Sequence, residues 1–458
     1  MKNMTVDSYD ICIVGAGVAG CAAAAYLADK GFKVAVVEKS MAFQERIVGE
    51  LMQPGGVNQL KQMGLDQLLT GFDAQHIHGY ALFMHDQHFS ISYPDGQIGR
   101  GFSNGKFLRQ MRAYLLGHEN VTIIEGTVLS LPEKNGSICG IEYTAKGMDN
   151  TSTAYAPLTL VCDGMFSSFR QQLSDSPKTV SSYFLGLILH DCVLPFPHHG
   201  HVIAAEPSPV LCYPISSTET RVLVDFPGTT PPVKGEDLTN YLINTVGVQM
   251  PKEIQPSFFK AVEEGKFKVM PNHLIPAKPK QIKGAVMIGD SLNMRHPLTG
   301  GGMTVALSDV RNICDKLIAI KDDFYREHID EAVFTFYEDR YAQNASVNIL
   351  ADALYGVMSN DDLKEACYTY LQKGGTCASI PLSLLSALNR DQDDLLQHFF
   401  GVAIHGAGRI LSPIPSTESI KKSYRMFKDA VHIIAPLIQN EKPGRITRTV
   451  FKVAEKIF

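Results

Sequence analysis

An apolar run, Ile11-Cys-Ile-Val, leads directly into Gly15-Ala-Gly17-Val-Ala-Gly20. A helix-compatible stretch, CAAAAYLAD, and a second apolar run ending in Glu38 follow. No other feature of the chain restricts its fold so strongly. Strand, GxGxxG, helix, strand and a terminal carboxylate together make a βαβ unit suited to a dinucleotide. Gly15 permits the tight turn, Gly17 lets backbone approach a pyrophosphate, and Gly20 lets helix pack on strand. The helix N-terminus then offers unpaired N–H groups to the phosphates. Glu38 would accept hydrogen bonds from a ribose and leaves no room for a 2′-phosphate. A carboxylate there suits FAD and NAD alike. No second strand-linked GxGxxG occurs in the 458 residues, so the chain carries one dinucleotide module.

Two later strands end in carboxylates. Leu158-Thr-Leu-Val-Cys runs into Asp163-Gly164, and Gly284-Ala-Val-Met-Ile runs into Gly289-Asp290. Such endings place acids at the carboxyl edge of a sheet, where open α/β folds bind ligands. Asp163 alone reads equally well as an ordinary turn aspartate. Asp290 is followed by Gly300, Gly301, Gly302 and Met303 at the start of a helix. That arrangement would let Asp290 bond ribityl hydroxyls, and the glycines would let a helix N-terminus approach a flavin ring.

Composition narrows the class. Apolar residues are 45% and charged residues 19%, which excludes a disordered chain, a coiled coil and a collagen-like repeat. A net charge of −5 lacks the basic footprint of a nucleic-acid binder. The nine cysteines form no CxxC pair and most sit in apolar runs, so reduced thiols are expected rather than a disulfide framework. The opening MKNMTVDSYD lacks the apolar core of a signal peptide, and no run of about 20 uncharged apolar residues predicts a membrane-spanning helix. Histidines 76, 78, 85 and 88 lie along an expected hairpin around Tyr80, and 198, 199 and 201 lie in a Pro-rich loop. With no accompanying carboxylate pattern they predict hydrogen-bonded or solvated imidazoles and no metal.

The three signatures, GAGVAG with Glu38 and the strand ends at Asp163 and Asp290, resemble those of the single-component flavin monooxygenases, the group containing the aromatic hydroxylases. Within that group, Arg46-Ile-Val-Gly-Glu50-Leu-Met-Gln53-Pro-Gly-Gly56 and Asn293-Met-Arg-His-Pro-Leu-Thr-Gly-Gly-Gly-Met303 resemble the squalene monooxygenase (squalene epoxidase) family. Ser208-Pro-Val-Leu, Ser216-Ser-Thr-Glu-Thr-Arg-Val-Leu-Val-Asp225, Lys364-Glu-Ala-Cys, Gly374-Gly-Thr-Cys and His398-Phe-Phe-Gly-Val-Ala-Ile404 continue the resemblance from about residue 9 to 436.

The resemblance implies FAD contacts at Val18 and Ala19 in the phosphate turn, Glu38 at the ribose, and Arg46, Arg112, Val128, Asp290 and Met303. It implies Tyr80 and Gln53 as paired polar residues beside flavin and substrate. The segment Gly101-Phe-Ser103-Asn104-Gly105-Lys106-Phe107 departs from the family, which has His before Gly-Arg-Phe; Lys106 lacks the planar fork of Arg. The implied reaction inserts one atom of O₂ into a terminal double bond of squalene, with NADPH electrons arriving through a separate cytochrome reductase. Such chemistry requires no protein nucleophile, and the chain has neither Gly-x-Ser-x-Gly nor His-Glu-x-x-His. The rivals are another FAD-dependent hydroxylase, an isoprenoid reductase, or a non-catalytic flavin-fold escort protein.

The expected fold is α/β (α+β). A Rossmann-type FAD-binding domain of the aromatic-hydroxylase type uses 1–75, 100–170 and 280–340. An interleaved β-sheet substrate domain uses 76–99 and 171–279, and a C-terminal helical region covers 341–458. Residues 181–225 and 366–404 supply apolar side chains for a hydrocarbon tunnel. Over residues 419–458, nine Lys and Arg stand against three acids, and after Pro443 apolar and basic residues recur at helical spacing on separate faces. That pattern, with 395–404 and 431–438, predicts monotopic attachment to an anionic membrane surface. The family resemblance places it on the cytoplasmic face of the endoplasmic reticulum.

Overall fold

The computed structural model describes residues 8–233 and 235–441. A seven-stranded sheet forms the first layer. Its order is Thr151–Tyr155, Gly140–Ala145, Val121–Ser130, Val34–Glu38, Ile11–Val14, Leu158–Val161, Ala285–Met287. The last five of these are mutually parallel, and the first two extend the sheet as an antiparallel hairpin. Ile11, Ile13, Val34, Val36, Leu158 and Leu160 are fully buried. Helices cover a parallel sheet on both faces, which is why its strands read as unbroken apolar runs. Val18–Asp29 and Gly302–Ala319 are the helices that start at its carboxyl edge and pack against each other.

A second seven-stranded sheet lies beside it, in the order Lys268–Leu274, Thr179–His190, Glu219–Pro227, Val210–Pro214, His199–Ile203, Gly79–Met84, Gln87–Ser92. Its strands alternate. Val210, Cys212, Val222 and Val224 join one apolar core, and Leu211, Tyr213 and Leu223 join another. Successive side chains point to opposite faces, so a sheet covered on both sides needs apolar residues at both parities. A small sheet of Leu51–Met52, Gly99–Gly101 and Gln75–Ile77 joins the two large ones. The buried pair Glu50 and Arg221 ties the same junction, with Nε to Oε2 at 2.7 Å and Nη2 to Oε1 at 2.9 Å.

Helix dominates after residue 325. Arg326–Met358 is one continuous helix of 33 residues, so residue 341 falls in its interior. Its N-terminal half packs on the first sheet through Ile329 and Phe336, and its C-terminal half sends Val357 and Met358 into the core of the second. Asp361–Leu371, Thr376–Leu385, Gln392–Leu411 and Thr417–Asn440 complete the cap. In segments 395–404 and 431–438, Leu395, Leu396, Val431, Ile434 and Ile438 face inward, whereas Ile404 is exposed. The basic helix expected after Pro443 lies outside the described residues. No helix among the described residues is long and apolar enough to cross a membrane.

Candidate active site

The glycine turn at the end of Ile11–Val14 is shaped by close contacts. Gly15 has φ +96°, and a Cβ there would lie 2.7 Å from the Cys162 carbonyl oxygen. A Cβ on Gly20 would lie 2.0 Å from the Gly15 carbonyl oxygen, so helix and turn touch backbone to backbone. Gly17 is different: nothing lies within 4 Å of where its Cβ would be. Open space therefore faces the first N–H groups of the helix carrying Val18 and Ala19, and no side chain caps that helix.

Glu38 is positioned before any ligand arrives. Its carboxylate accepts from Ala16 N at 2.6 Å and Ser40 N at 3.0 Å. Arg112 braces the same loop. Its Nε donates to the Ala16 carbonyl at 3.0 Å and its Nη1 to the Ser40 carbonyl at 3.0 Å, while Nη2 sits 3.6 Å from Glu38. Arg112 lies on helix Asn104–Leu116, which Ser103 caps by accepting from Lys106 N at 3.2 Å. Ser103 also donates to Glu45 at 2.7 Å, and Asn104 donates to the Gly49 carbonyl at 2.9 Å. The departure from the family pattern at Ser103 and Asn104 thus falls on residues that fasten the loop carrying Arg46.

The other strand ends meet at the same edge. Asp163 Oδ2 accepts from Ser168 N at 3.1 Å, and its Oδ1 is buried without a partner. Asp290 lies between Arg295, Arg46 and Arg170; burial raises its carboxyl, and these three cations oppose that. Arg170 joins the two ends, donating to the carbonyls of Gly164 at 3.2 Å and Asp290 at 3.2 Å. Gly300, at φ +64°, reverses the chain so that Gly302 opens the helix, and no atom lies within 4 Å of a Cβ built on Gly302. Gly301 packs on Val347 and Met303 is buried in the first core. Two uncapped helix N-termini, two open glycine positions and the orphaned Asp163 oxygen fit an extended dinucleotide such as FAD. Val128 is set apart: its strand leaves the parallel ladder after Glu125, and Val128 pairs with Tyr143.

Gln53 stands next to the turn at Gly300, and Tyr80 is bonded to it. Gln53 is fully buried, and its Nε2 donates to Tyr80 OH at 2.6 Å and to the Thr299 carbonyl at 2.6 Å. Burial pushes the Tyr80 phenol up to about 12, so it is protonated at neutral pH. Gly200 makes room for this ring; a Cβ there would lie 2.8 Å from Tyr80 Cε1. Tyr80 also lines an apolar cleft that includes Leu298, Leu354, Val357, Leu382 and Phe399. Segments 181–225 and 366–404 contribute to it, the former through Val202. The long helix and hairpin residues Leu82 and Ile91 also line it, and only tertiary packing brings them there. The histidines converge differently. The His78 amide bonds the His198 carbonyl at 2.8 Å, yet among the described residues no three His, Cys, Asp or Glu are grouped to hold a metal.

A model of the squalene epoxidase family matches residues 155–424, and one of the FAD dependent oxidoreductases matches residues 10–45. The chain belongs to the squalene epoxidase family. Squalene monooxygenase SE2 of Panax ginseng is 44% identical over 96% of this chain and 83% of its own length. Squalene monooxygenase of Mus musculus is 37% identical over 95% and 78%, and squalene epoxidase erg1 of Schizosaccharomyces pombe 36% over 96% and 99%. Among solved structures, pqsL, a probable FAD-dependent monooxygenase from Pseudomonas aeruginosa, has a TM-score of 0.66 at 18% identity, covering 79% of this chain and 100% of that one. A flavoprotein/dehydrogenase from Cytophaga hutchinsonii reaches 0.69 at 16%, covering 88% and 100%. At those identities the likeness is one of fold.

Two functional-looking groups in this squalene epoxidase family member escaped the sequence reading. Glu50 and Arg221 were visible only as parts of two separate motifs. His296, in the segment before the glycines, is fully buried, stacked on Tyr355 at 3.7 Å and bonded to Ser182 at 2.9 Å. Its Nδ1 accepts from Leu298 N at 3.2 Å, so the proton of the neutral ring is on Nε2. The motif's length was the available signal; the partners, from 182 to 355, were not.

Proposed function

We propose that this chain is an FAD-dependent monooxygenase that converts squalene to (S)-2,3-epoxysqualene, an early oxygenation step of sterol biosynthesis. The observation that carries this reading is a junction: Tyr80 belongs both to the polar group beside the turn at Gly300 and to the wall of the apolar cleft. Bound FAD, once reduced, supplies activation of O₂. The chain's own residues bind, orient and exclude water. Gly17 and the two helix N-termini would take the phosphates and flavin, Glu38 the ribose, and Asp290 the ribityl hydroxyls. The cleft wall would hold an alkene against the glycine turn and keep water out. Tyr80 supplies a hydroxyl on that wall, which His398 also lines, and the Gln53 amide backs it. Electrons would come from NADPH through a cytochrome reductase, consistent with a single dinucleotide fingerprint. Exposed Ile404, Ile414, Ile420 and Tyr424, together with basic residues of 419–441, support attachment to an anionic membrane surface, here assigned to the cytoplasmic face of the endoplasmic reticulum.

The test is product analysis. Detergent-solubilised protein with FAD, NADPH, a microsomal reductase, O₂ and squalene should yield the epoxide by mass spectrometry, and none without FAD or reductase. Folded, yellow protein that makes no epoxide would sink the substrate assignment. Asp290→Ala should lose bound FAD, read by absorbance after gel filtration; a fully yellow variant would refute the ribityl role.

A further inference from the structure

We infer that Tyr93 is a positioning residue for the reaction centre, orienting the Gln53 amide and through it the Tyr80 phenol. The direction of the amide follows from a backbone carbonyl. Thr299 presents a backbone carbonyl to Gln53, and a carbonyl only accepts, so the group facing it is the NH₂. The same nitrogen reaches Tyr80 OH, which therefore accepts from Gln53. The amide oxygen is left facing Tyr93, which donates to it at 2.7 Å. Tyr93, together with the Thr299 carbonyl, thus holds the amide in this orientation. All three side chains are buried, Gln53 at 0%, Tyr93 at 4% and Tyr80 at 6% exposure, so water offers no substitute partner. The two rings meet edge to face at 6.2 Å. Backbone fixes Tyr93 in turn: its N–H donates to the His78 carbonyl at 2.8 Å, and Pro94 follows it.

Replacing Tyr93 with Phe removes one oxygen and leaves the ring. The Gln53 oxygen then loses its donor in a buried place, and the amide can rotate away from Tyr80 and Thr299. The inference rests on the proposed function only for its turnover readout. The first experiment needs neither substrate nor FAD: hydrogen exchange of the Gln53 side-chain amide, followed by NMR in protein labelled with ¹⁵N-glutamine. Tyr93→Phe should speed that exchange about tenfold, the loss expected when one buried hydrogen bond is removed. Tyr80→Phe removes the acceptor of one amide hydrogen and should speed the exchange of that hydrogen alone, whereas Tyr93→Phe should speed both. In turnover, Tyr93→Phe should lower kcat about tenfold with FAD content and KM for squalene unchanged. In a Gln53→Leu background, where no amide is left to orient, the same substitution should change kcat less than about twofold. Unchanged amide exchange in Tyr93→Phe, or equal kcat losses in both backgrounds, would overturn the inference. Absence of epoxide from the parent protein would instead count against the proposed function and leave the exchange result standing.

Discussion

Single atoms decide much of this site. Gly20 has no room for a side chain, since its Cβ would sit 2.0 Å from a backbone oxygen that cannot move without the strand. Gly20→Ala should therefore give protein without FAD and with a clearly lowered melting temperature, whereas Gly17→Ala, in open space, should fold normally and bind FAD more weakly. His296 makes a separate prediction about acid. Burial pushes its imidazole from 6.5 down to about 3. Between those values the unfolded chain takes up a proton that the folded state refuses. The associated stability is complete above pH 6.5 and falls as pH drops toward 3, by about 1.4 kcal/mol per pH unit. Asp352, raised by burial to about 6, binds its proton first in the folded state and acts in the opposite sense. His296→Gln should flatten the acid limb of the stability curve by one proton relative to the parent, measured by urea unfolding from pH 7 to pH 4. An unchanged limb would place the acid sensitivity elsewhere.

At the level of elements, helix Asn104–Leu116 shows how a local signal serves a distant ligand site. Ser103 satisfies an orphan N–H at its start, and nine residues later the same rod delivers Arg112 to the Gly15–Gly20 turn. Ser103→Ala should cost about 1 kcal/mol of stability through the lost cap and free Glu45. The measurable consequence is a lower melting temperature together with weaker FAD binding; a stability loss with FAD affinity untouched would separate the helix from the turn. The βαβ unit was legible because its strands are buried on both faces, and because the Gly20 contact with the Gly15 carbonyl and the positive φ of Gly15 are demands of the local backbone. The long helix Arg326–Met358 was not legible as one element. Each half packs on a different sheet, so its apolar stripe changes direction and periodicity gave no single face.

For the whole molecule, the second sheet, the turn carrying Leu298 and the helical cap line an apolar cleft that no one of them could form. Its wall draws on the hairpin, Leu298 before the glycines, the long helix and the helices after residue 360. Ala378→Phe should fill the region it lines, costing about 1–3 kcal/mol by overpacking. It should raise KM for squalene at least about tenfold while the purified protein stays yellow. Normal KM would mean that substrate lies elsewhere. The chain by itself determined the dinucleotide module, the acids at the strand ends, the glycine turn and the family, because each depends on residues close in sequence whose backbone demands are local. Only the tertiary structure decided that Tyr93 donates to Gln53, that Glu50 meets Arg221 and that His296 is enclosed by Ser182 and Tyr355. These pairs are separated by 40 to 171 residues. Hydrogen-bond direction and burial, which select them, exist only once the sheets have packed.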